Sequence, residues 1–195
     1  MIGVVDYGAG NLRSVTNVLS ALDAPFRTVR DGDELRNVER VILPGVGHFG
    51  QLARALDELA LRAPLTAMVG EGVPYLGICL GMQILFATSD EAPDARGLGI
   101  FAGDVRVIDG AERLPHMGWN TVMRTRPSTL LGDDDTFFYF ANSYACPVID
   151  DTVGVCEYGS AFSAVVERGT VCGVQFHPEK SGAVGRTIIE RFIGA

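Results

Sequence analysis

Residues Val73 to Ala87 read VPYLGICLGMQILFA, and the fold turns on how that run divides. Val73 to Ile78 has the apolar, β-rich character of a buried strand, whereas Leu80 to Phe86 has a helical composition. The spacing therefore predicts a strand that turns sharply into a helix at Cys79. The run is too short for a membrane helix, and Gly77, Gly81 and Gln83 interrupt it.

Gly77-Ile78-Cys79-Leu80-Gly81 has the G-x-C-x-G shape of a nucleophile elbow. A side chain on so sharp a turn is crowded by the residues two before and two after it, and glycine at both places removes the clash. Cys79 is expected to project from the sheet edge at a helix N-terminus, where unpaired N–H groups and the helix dipole favour thiolate. A buried structural cysteine is the commoner fate of a Cys in an apolar run. The strand–helix junction favours the nucleophile.

Upstream, IGVV (Ile2 to Val5), Leu12 to Leu22, VIL (Val41 to Leu43) and Gln51 to Leu61 alternate as βαβα. Leu52, Leu56, Leu59 and Ala60 share one face of the last helix, while Arg54, Asp57, Glu58 and Arg62 lie elsewhere. Downstream of Gly97, the runs DVRVI, TFFYFA, VGVCEY, FSAVVE and TVCGVQF are spaced as antiparallel hairpins. A last helix is expected over Ala183 to Ile193. The predicted class is α/β, a mainly parallel central sheet flanked by helices with an antiparallel extension in the second half. Glu91 to Asp94 and Gly132 to Asp135 look like loops too short to separate domains, so 1–195 is expected to form one domain.

The chain has 195 residues, 47% of them hydrophobic and 21% charged, which excludes a mainly disordered or fibrous protein. Sixteen Lys and Arg against 24 Asp and Glu leave a net charge of −8 without any basic run, so nucleic acid is not an expected partner. No membrane span or secretory signal is expected, the start MIGVVDYGAG having no basic n-region, and the reading is cytoplasmic. Cys79, Cys146, Cys156 and Cys172 form no C-x-x-C pair. Cys156 and Cys172 look like strand packing, and Cys146, before Pro147, is expected to be partly exposed. No catalytic metal or cofactor is expected.

A thiolate hydrolase needs a proton carrier, and the histidines are His48, His116 and His177. His177 follows a strand pattern and precedes Pro178, which holds it extended, so His177 and Glu179 are expected to point the same way. That supplies a base and its orienting carboxylate. Taken alone, a solvated H-P-E loop fits equally well. Pro44-Gly45-Val46-Gly47, just after VIL, is either a tight turn or a glycine-rich loop whose N–H groups join that of Leu80 around a developing oxyanion.

With Cys79, His177 and Glu179 in place, the chain resembles the class I glutamine amidotransferases over nearly its whole length. Within them it is similar to the glutaminase subunits of imidazole glycerol phosphate synthase, through DYGAGNLRSV (Asp6 to Val15), LPGVGHF, GICLGMQ, PHMGWN (Pro115 to Asn120), FYFANSY and QFHPEKS. Ala9 and Asn142 depart from that pattern, where Met and His are usual. The resemblance implies hydrolysis of L-glutamine to glutamate and ammonia through a γ-glutamyl thioester on Cys79, with ammonia used by a partner cyclase subunit in a heterodimer. It implies an oxyanion strand at Gly45, Val46 and Gly47 that needs reorganisation by the partner. Gln83, Ser143 and Tyr144 are the implied glutamine-binding positions, and Asn11, Trp119 and Lys180 the implied partner-facing ones. Trp119, expected in a Pro- and Gly-containing loop, plugs a core gap or faces a partner, and Lys180 is a solvated charge or a contact. Rival readings are a subunit serving another synthase, a free-standing cysteine hydrolase and a non-catalytic scaffold.

Overall fold

A computed structural model describes residues 1–194; Ala195, the last residue of the expected domain, lies outside the described residues. In chain order the elements are β1 (Ile2–Val5), α1 (Leu12–Ala21), β2 (Phe26–Val29), α2 (Gly32–Leu35), β3 (Arg40–Gly45), α3 (Phe49–Glu58), α4 (Arg62–Gly70), β4 (Tyr75–Cys79), α5 (Leu80–Gln83), β5 (Thr88–Ser89) and β6 (Asp104–Val107). There follow β7 (His116–Arg124), β8 (Thr136–Asn142), β9 (Tyr144–Ala145), β10 (Thr152–Tyr158), β11 (Ser160–Arg168), β12 (Val171–Val174), a 3-10 turn (Pro178–Lys180) and α6 (Gly182–Gly194).

Nine strands form one sheet in the order β2-β1-β3-β4-β12-β11-β10-β7-β8, and β5, β6 and β9 form a smaller one. The neighbours from β2 to β12 are parallel and those from β12 to β8 antiparallel. The expected α/β class is therefore observed. The run TVCGVQF is more than a hairpin strand, because β12 pairs antiparallel with β11 and parallel with β4 and so joins the two halves.

Successive residues of the central strands alternate between two apolar clusters, as a two-sided buried sheet requires. Val4, Ile42, Leu76 and Ile78 belong to the cluster that takes in Val15 and Leu19 of α1 and Ile188, Ile189 and Phe192 of α6. Val5, Val41, Leu43 and Tyr75 belong to the other, with Phe49, Leu52 and Leu56 of α3 and Leu65 of α4.

Several boundaries differ from expectation for identifiable reasons. The helix expected to run from Gln51 to Leu61 ends at Glu58, because Ala60 turns left-handed (φ +51°) and the Leu61 N–H closes on the Leu56 carbonyl at 2.8 Å. The helix expected over Leu80 to Phe86 ends at Gln83, because the N–H groups of Leu98 and Ile100 take the carbonyls of Ile84 and Leu85. Trp119 sits on β7, not in a loop, and is 54% exposed. Cys146 is fully buried rather than partly exposed, bridging to Ser163 of β11. No helix among the described residues is long and apolar enough to cross a membrane.

Candidate active site

Four adjacent parallel strands end at one sheet edge, where open α/β folds place ligands. The segment after β1 brings Tyr7 and Asn11, β3 runs into Val46 and Gly47, β4 ends on Cys79, and β12 leads to His177 and Glu179. Register aligns them: Gly45 pairs with Cys79, and Val174 pairs with Ile78.

Cys79 has φ +54° and ψ −107°, a conformation that costs a non-glycine residue about 1–3 kcal/mol. The flanking glycines make it possible. A Cβ on Gly77 would lie 2.1 Å from the Gly81 carbonyl oxygen, and one on Gly81 would lie 1.9 Å from the Leu43 carbonyl oxygen of β3. The elbow expected from G-x-C-x-G is formed, with one change. Because α5 is a single turn, its dipole adds less than the expected longer helix would.

His177 has an extended backbone, and its Nδ1 lies 2.8 Å from Glu179 Oε1. The same oxygen accepts from Asn11 Nδ2 at 2.9 Å, and Asn11 Oδ1 accepts from the Ser14 hydroxyl at 2.7 Å. Both side chains of the pair are almost wholly buried. Burial alone would drive the imidazole neutral, but hydrogen bonds and charge from Cys79 and Glu179 overcome it and raise the His177 pKa. Burial likewise opposes the Glu179 charge, and the His177 contacts with the Asn11 hydrogen bond outweigh it, holding that carboxyl below its ordinary range. Cys79, His177 and Glu179 thus stand together, a cysteine on a strand–helix turn beside a buried imidazole–carboxylate pair.

The other histidines do different work. His48 caps α3, its Nδ1 accepting the Gly50 N–H at 3.1 Å. His116 lies stacked between Phe140 and Tyr158, and burial pushes its pKa down to about 4.

A cleft of about 480 Å³ opens over Cys79 and His177, lined also by Asn11, Val46, Gly47, Leu80, Gln83, Ser143, Tyr144 and Lys180. Gly45 stands behind it, against Leu80 and Gly81. Gly47 adopts φ +99°. The Val46 N–H does not face the cleft as a free donor, because the Tyr7 hydroxyl accepts it at 3.1 Å. Gln83 is turned partly inward, its Nε2 donating to the Tyr144 carbonyl at 2.8 Å and to Gln175 Oε1 at 3.0 Å.

Tyr7, Glu91 and Gln175 join the site without belonging to any of the expected site positions. Glu91 lines the cleft and accepts the Phe49 N–H at 2.7 Å. Gln175 is fully buried beside Cys79, and its signal was a polar residue in an apolar strand pattern, two positions before His177. Trp119 lies outside the cleft, edge-on to Tyr139, over whose ring the Lys180 ammonium stands at 5.8 Å.

The family described as glutamine amidotransferase class-I matches residues 3–194. The chain belongs to the class I glutamine amidotransferases. This amidotransferase is 44% identical to the imidazole glycerol phosphate synthase subunit HisH of Methanocaldococcus jannaschii, over 99% of this chain and 98% of that protein. It is 42% identical to the HisH subunit of Desulfitobacterium hafniense strain Y51, over 98% and 93%. Among solved structures, the amidotransferase is similar to a chain of the structure of PurLQS from Thermotoga maritima, with a TM-score of 0.79, 22% identity and coverage of 99% and 97%. A glutamine amidotransferase crystal structure aligns with a TM-score of 0.78 at 20% identity, over 100% of this chain and 99% of that one. The last two likenesses concern the fold.

Proposed function

We propose that this chain is a glutaminase subunit of imidazole glycerol phosphate synthase, working in the cytoplasm as one amidotransferase domain over residues 1–195. It hydrolyses L-glutamine to L-glutamate and ammonia and passes the ammonia to a cyclase subunit. Together the two make imidazole glycerol phosphate and the aminoimidazole carboxamide ribonucleotide of histidine biosynthesis. The observation that carries the chemistry is the buried His177 and Glu179 pair, 2.8 Å apart, beside Cys79 at the elbow.

The Glu179 contact fixes the proton on His177 Nδ1 and turns Nε2 toward the thiol. The Cys79 thiolate attacks the side-chain carboxamide carbon of glutamine. The C–N bond breaks as His177 gives its Nε2 proton to the departing nitrogen, releasing ammonia and leaving a γ-glutamyl thioester. Water then attacks the thioester and yields a proton to His177, and the C–S bond breaks to release glutamate. This restores thiolate and imidazolium. The Leu80 N–H is a donor for the oxyanion, and the Gly45 to Gly47 strand adds its own once the Val46 N–H leaves the Tyr7 hydroxyl. Glu91 offers a carboxylate to the substrate ammonium, and Gln83, Ser143 and Tyr144 complete the binding wall.

Ammonia is mostly ammonium at neutral pH, so its use calls for sealed transfer to a second polypeptide. Met117, Trp119 and Phe137 stand 65%, 54% and 58% exposed on β7 and β8, and Lys180 adjoins them through Tyr139. An apolar face with a Trp anchor suits a protein partner. Asn11, hydrogen-bonded to Glu179, and Lys180, next in the chain, put that partner within a residue of the catalytic carboxylate.

Glutamate release should be measured for the chain alone, with cyclase, and with cyclase plus its nucleotide substrate. Weak activity alone and strong activity in the last mixture are expected. Full activity alone would indicate a free-standing hydrolase. No glutamate in any mixture would overturn the assignment.

A further inference from the structure

Gln175 makes two polar contacts with other side chains, one at each end of its amide. Its Oε1 accepts from Gln83 Nε2 at 3.0 Å, and its Nε2 stands 3.5 Å from Cys79 Sγ, within hydrogen-bonding reach for sulfur. The side chain has no exposed surface, so no solvent substitutes for either contact.

The two ends of a glutamine amide are nearly isosteric, and their assignment depends on the network around them. Here one atom settles it. The Tyr144 backbone carbonyl can only accept, so the Gln83 end 2.8 Å from it is the NH2 group. That same NH2 group is the one facing Gln175, so Gln175 must present its carbonyl to Gln83 and its own NH2 to Cys79. The Tyr144 carbonyl is held in turn by Asn142 Nδ2 at 3.0 Å. Direction therefore passes from a backbone carbonyl through two amides to the sulfur.

We infer that Gln175 is a catalytic residue, donating a hydrogen bond to the Cys79 thiolate and keeping it charged and aimed between turnovers. The inference rests on the glutaminase reading of the site. A donor on sulfur is useful only to the anion, because the neutral thiol needs an acceptor for its proton. Hydrogen bonds to charged groups are the strong ones, and in a buried site an unmet charge is costly. Charge at Cys79 is also felt by His177, with Glu179 behind it, by the protonated Tyr7 hydroxyl and by the buried Cys146 thiol. Of these His177 supplies positive charge; Gln175, two residues before it at the same end of β12, adds a fixed dipole.

Gln83 then acts on the sulfur as well as on the substrate. With both amide hydrogens spent within the protein, only its Oε1 remains to meet a substrate, and its main effect on the sulfur runs through Gln175.

The test uses Gln175→Met, which keeps length and removes the donor, and Gln175→Glu, which keeps the acceptor toward Gln83 and sets an oxygen against Sγ. Iodoacetamide alkylation of the Cys79 peptide is followed by mass spectrometry from pH 5 to 9, and glutamine-dependent and ammonium-dependent product formation are measured with the cyclase complex. The loss of a charge-assisted hydrogen bond predicts alkylation near neutral pH slowed about tenfold or more, its pH midpoint moved upward, and kcat for glutamine lowered about 10- to 100-fold. KM should stay within about threefold, and the ammonium-dependent rate should be unchanged. Gln83→Met, which frees the Gln175 amide, should move alkylation the same way by less, and it serves if either Gln175 variant does not fold.

Alkylation within about twofold of wild type in the folded variants would overturn the role of Gln175, as would parallel loss of glutamine- and ammonium-dependent rates. Alkylation reads the sulfur without glutamine. Failure of the glutaminase reading would appear separately, as a wild-type complex that alkylates normally yet releases no glutamate.

Discussion

The Tyr7 hydroxyl donates to the Val46 carbonyl at 3.2 Å and accepts the Val46 N–H at 3.1 Å. Burial pushes its pKa up to about 12, so it remains a donor throughout the working range. One phenol thus holds both polar groups of a single residue, and the Val46 N–H is spent on it rather than on a substrate. Tyr7→Phe should raise kcat of the isolated chain for glutamine, by up to about tenfold from the loss of two neutral hydrogen bonds. The stimulation by cyclase and nucleotide should shrink in proportion. Steady-state kinetics of variant and wild type, with and without the partner, check this; an unchanged basal kcat would show that Tyr7 does not restrain the strand.

Cys79→Ala should abolish glutamine-dependent turnover while the reconstituted complex still forms product from added ammonium salts. In the proposed reaction the thiolate serves only to release ammonia. A thioester trapped on Cys146, Cys156 or Cys172 instead would refute the assignment, and burial of all three argues against one.

His177→Ala should cost nearly as much as losing the nucleophile, on the order of 10⁴ or more in kcat. Glu179→Ala should leave more activity, because His177 keeps its place through its N–H bond to the Tyr139 carbonyl at 2.8 Å. His48→Ala should retain the wild-type rate and lose about 1 kcal/mol of stability with its helix cap. Rate assays and urea unfolding of the three variants separate these effects.

His116 gives the protein a stability term with a definite sign. Its folded pKa, about 4, lies below the 6.5 of an unburied imidazole, so the unfolded chain binds the proton more readily. The term is fully present above about pH 6.5 and is lost as pH falls toward 4, at up to about 1.4 kcal/mol per pH unit. His116→Phe keeps the stack with Phe140 and Tyr158 and should flatten that part of the curve. Urea unfolding at pH 4.5, 5.5 and 6.5 reads the difference between the two proteins.

The fold class and the association of Cys79, His177 and Glu179 were legible because glycine spacing, an X-Pro restraint and strand alternation are local properties of the chain. The end of α5 was not legible, since it is decided by Leu98 and Ile100, which reach back across a loop to take the carbonyls of Ile84 and Leu85 just beyond it. Trp119 read as a loop residue because Pro115 and Gly118 flank it, whereas pairing with Tyr139 of β8 makes it strand. Tyr7 carries no local signal at all. Its partner lies 39 residues away, and only the adjacency of β1 and β3 brings them together.

The contact between Gly81 and Leu43 divides this edge of the molecule into a fixed part and an adjustable one. With the Leu43 carbonyl wedged where a Gly81 side chain would be, β3 up to that residue and the cysteine turn interlock without slack. Any reorientation of the oxyanion donors must be confined to the few peptides after Gly45, where Gly47 already adopts a left-handed backbone. In the proposed cycle Cys79 can then keep its aim while a single peptide beside it rotates, so that catalytic output would change without a change of fold. Amide hydrogen exchange at Ile42 and Leu76, paired in the ladder of the fixed part, should accordingly stay slow and indifferent to the partner, with any response beginning at Val46.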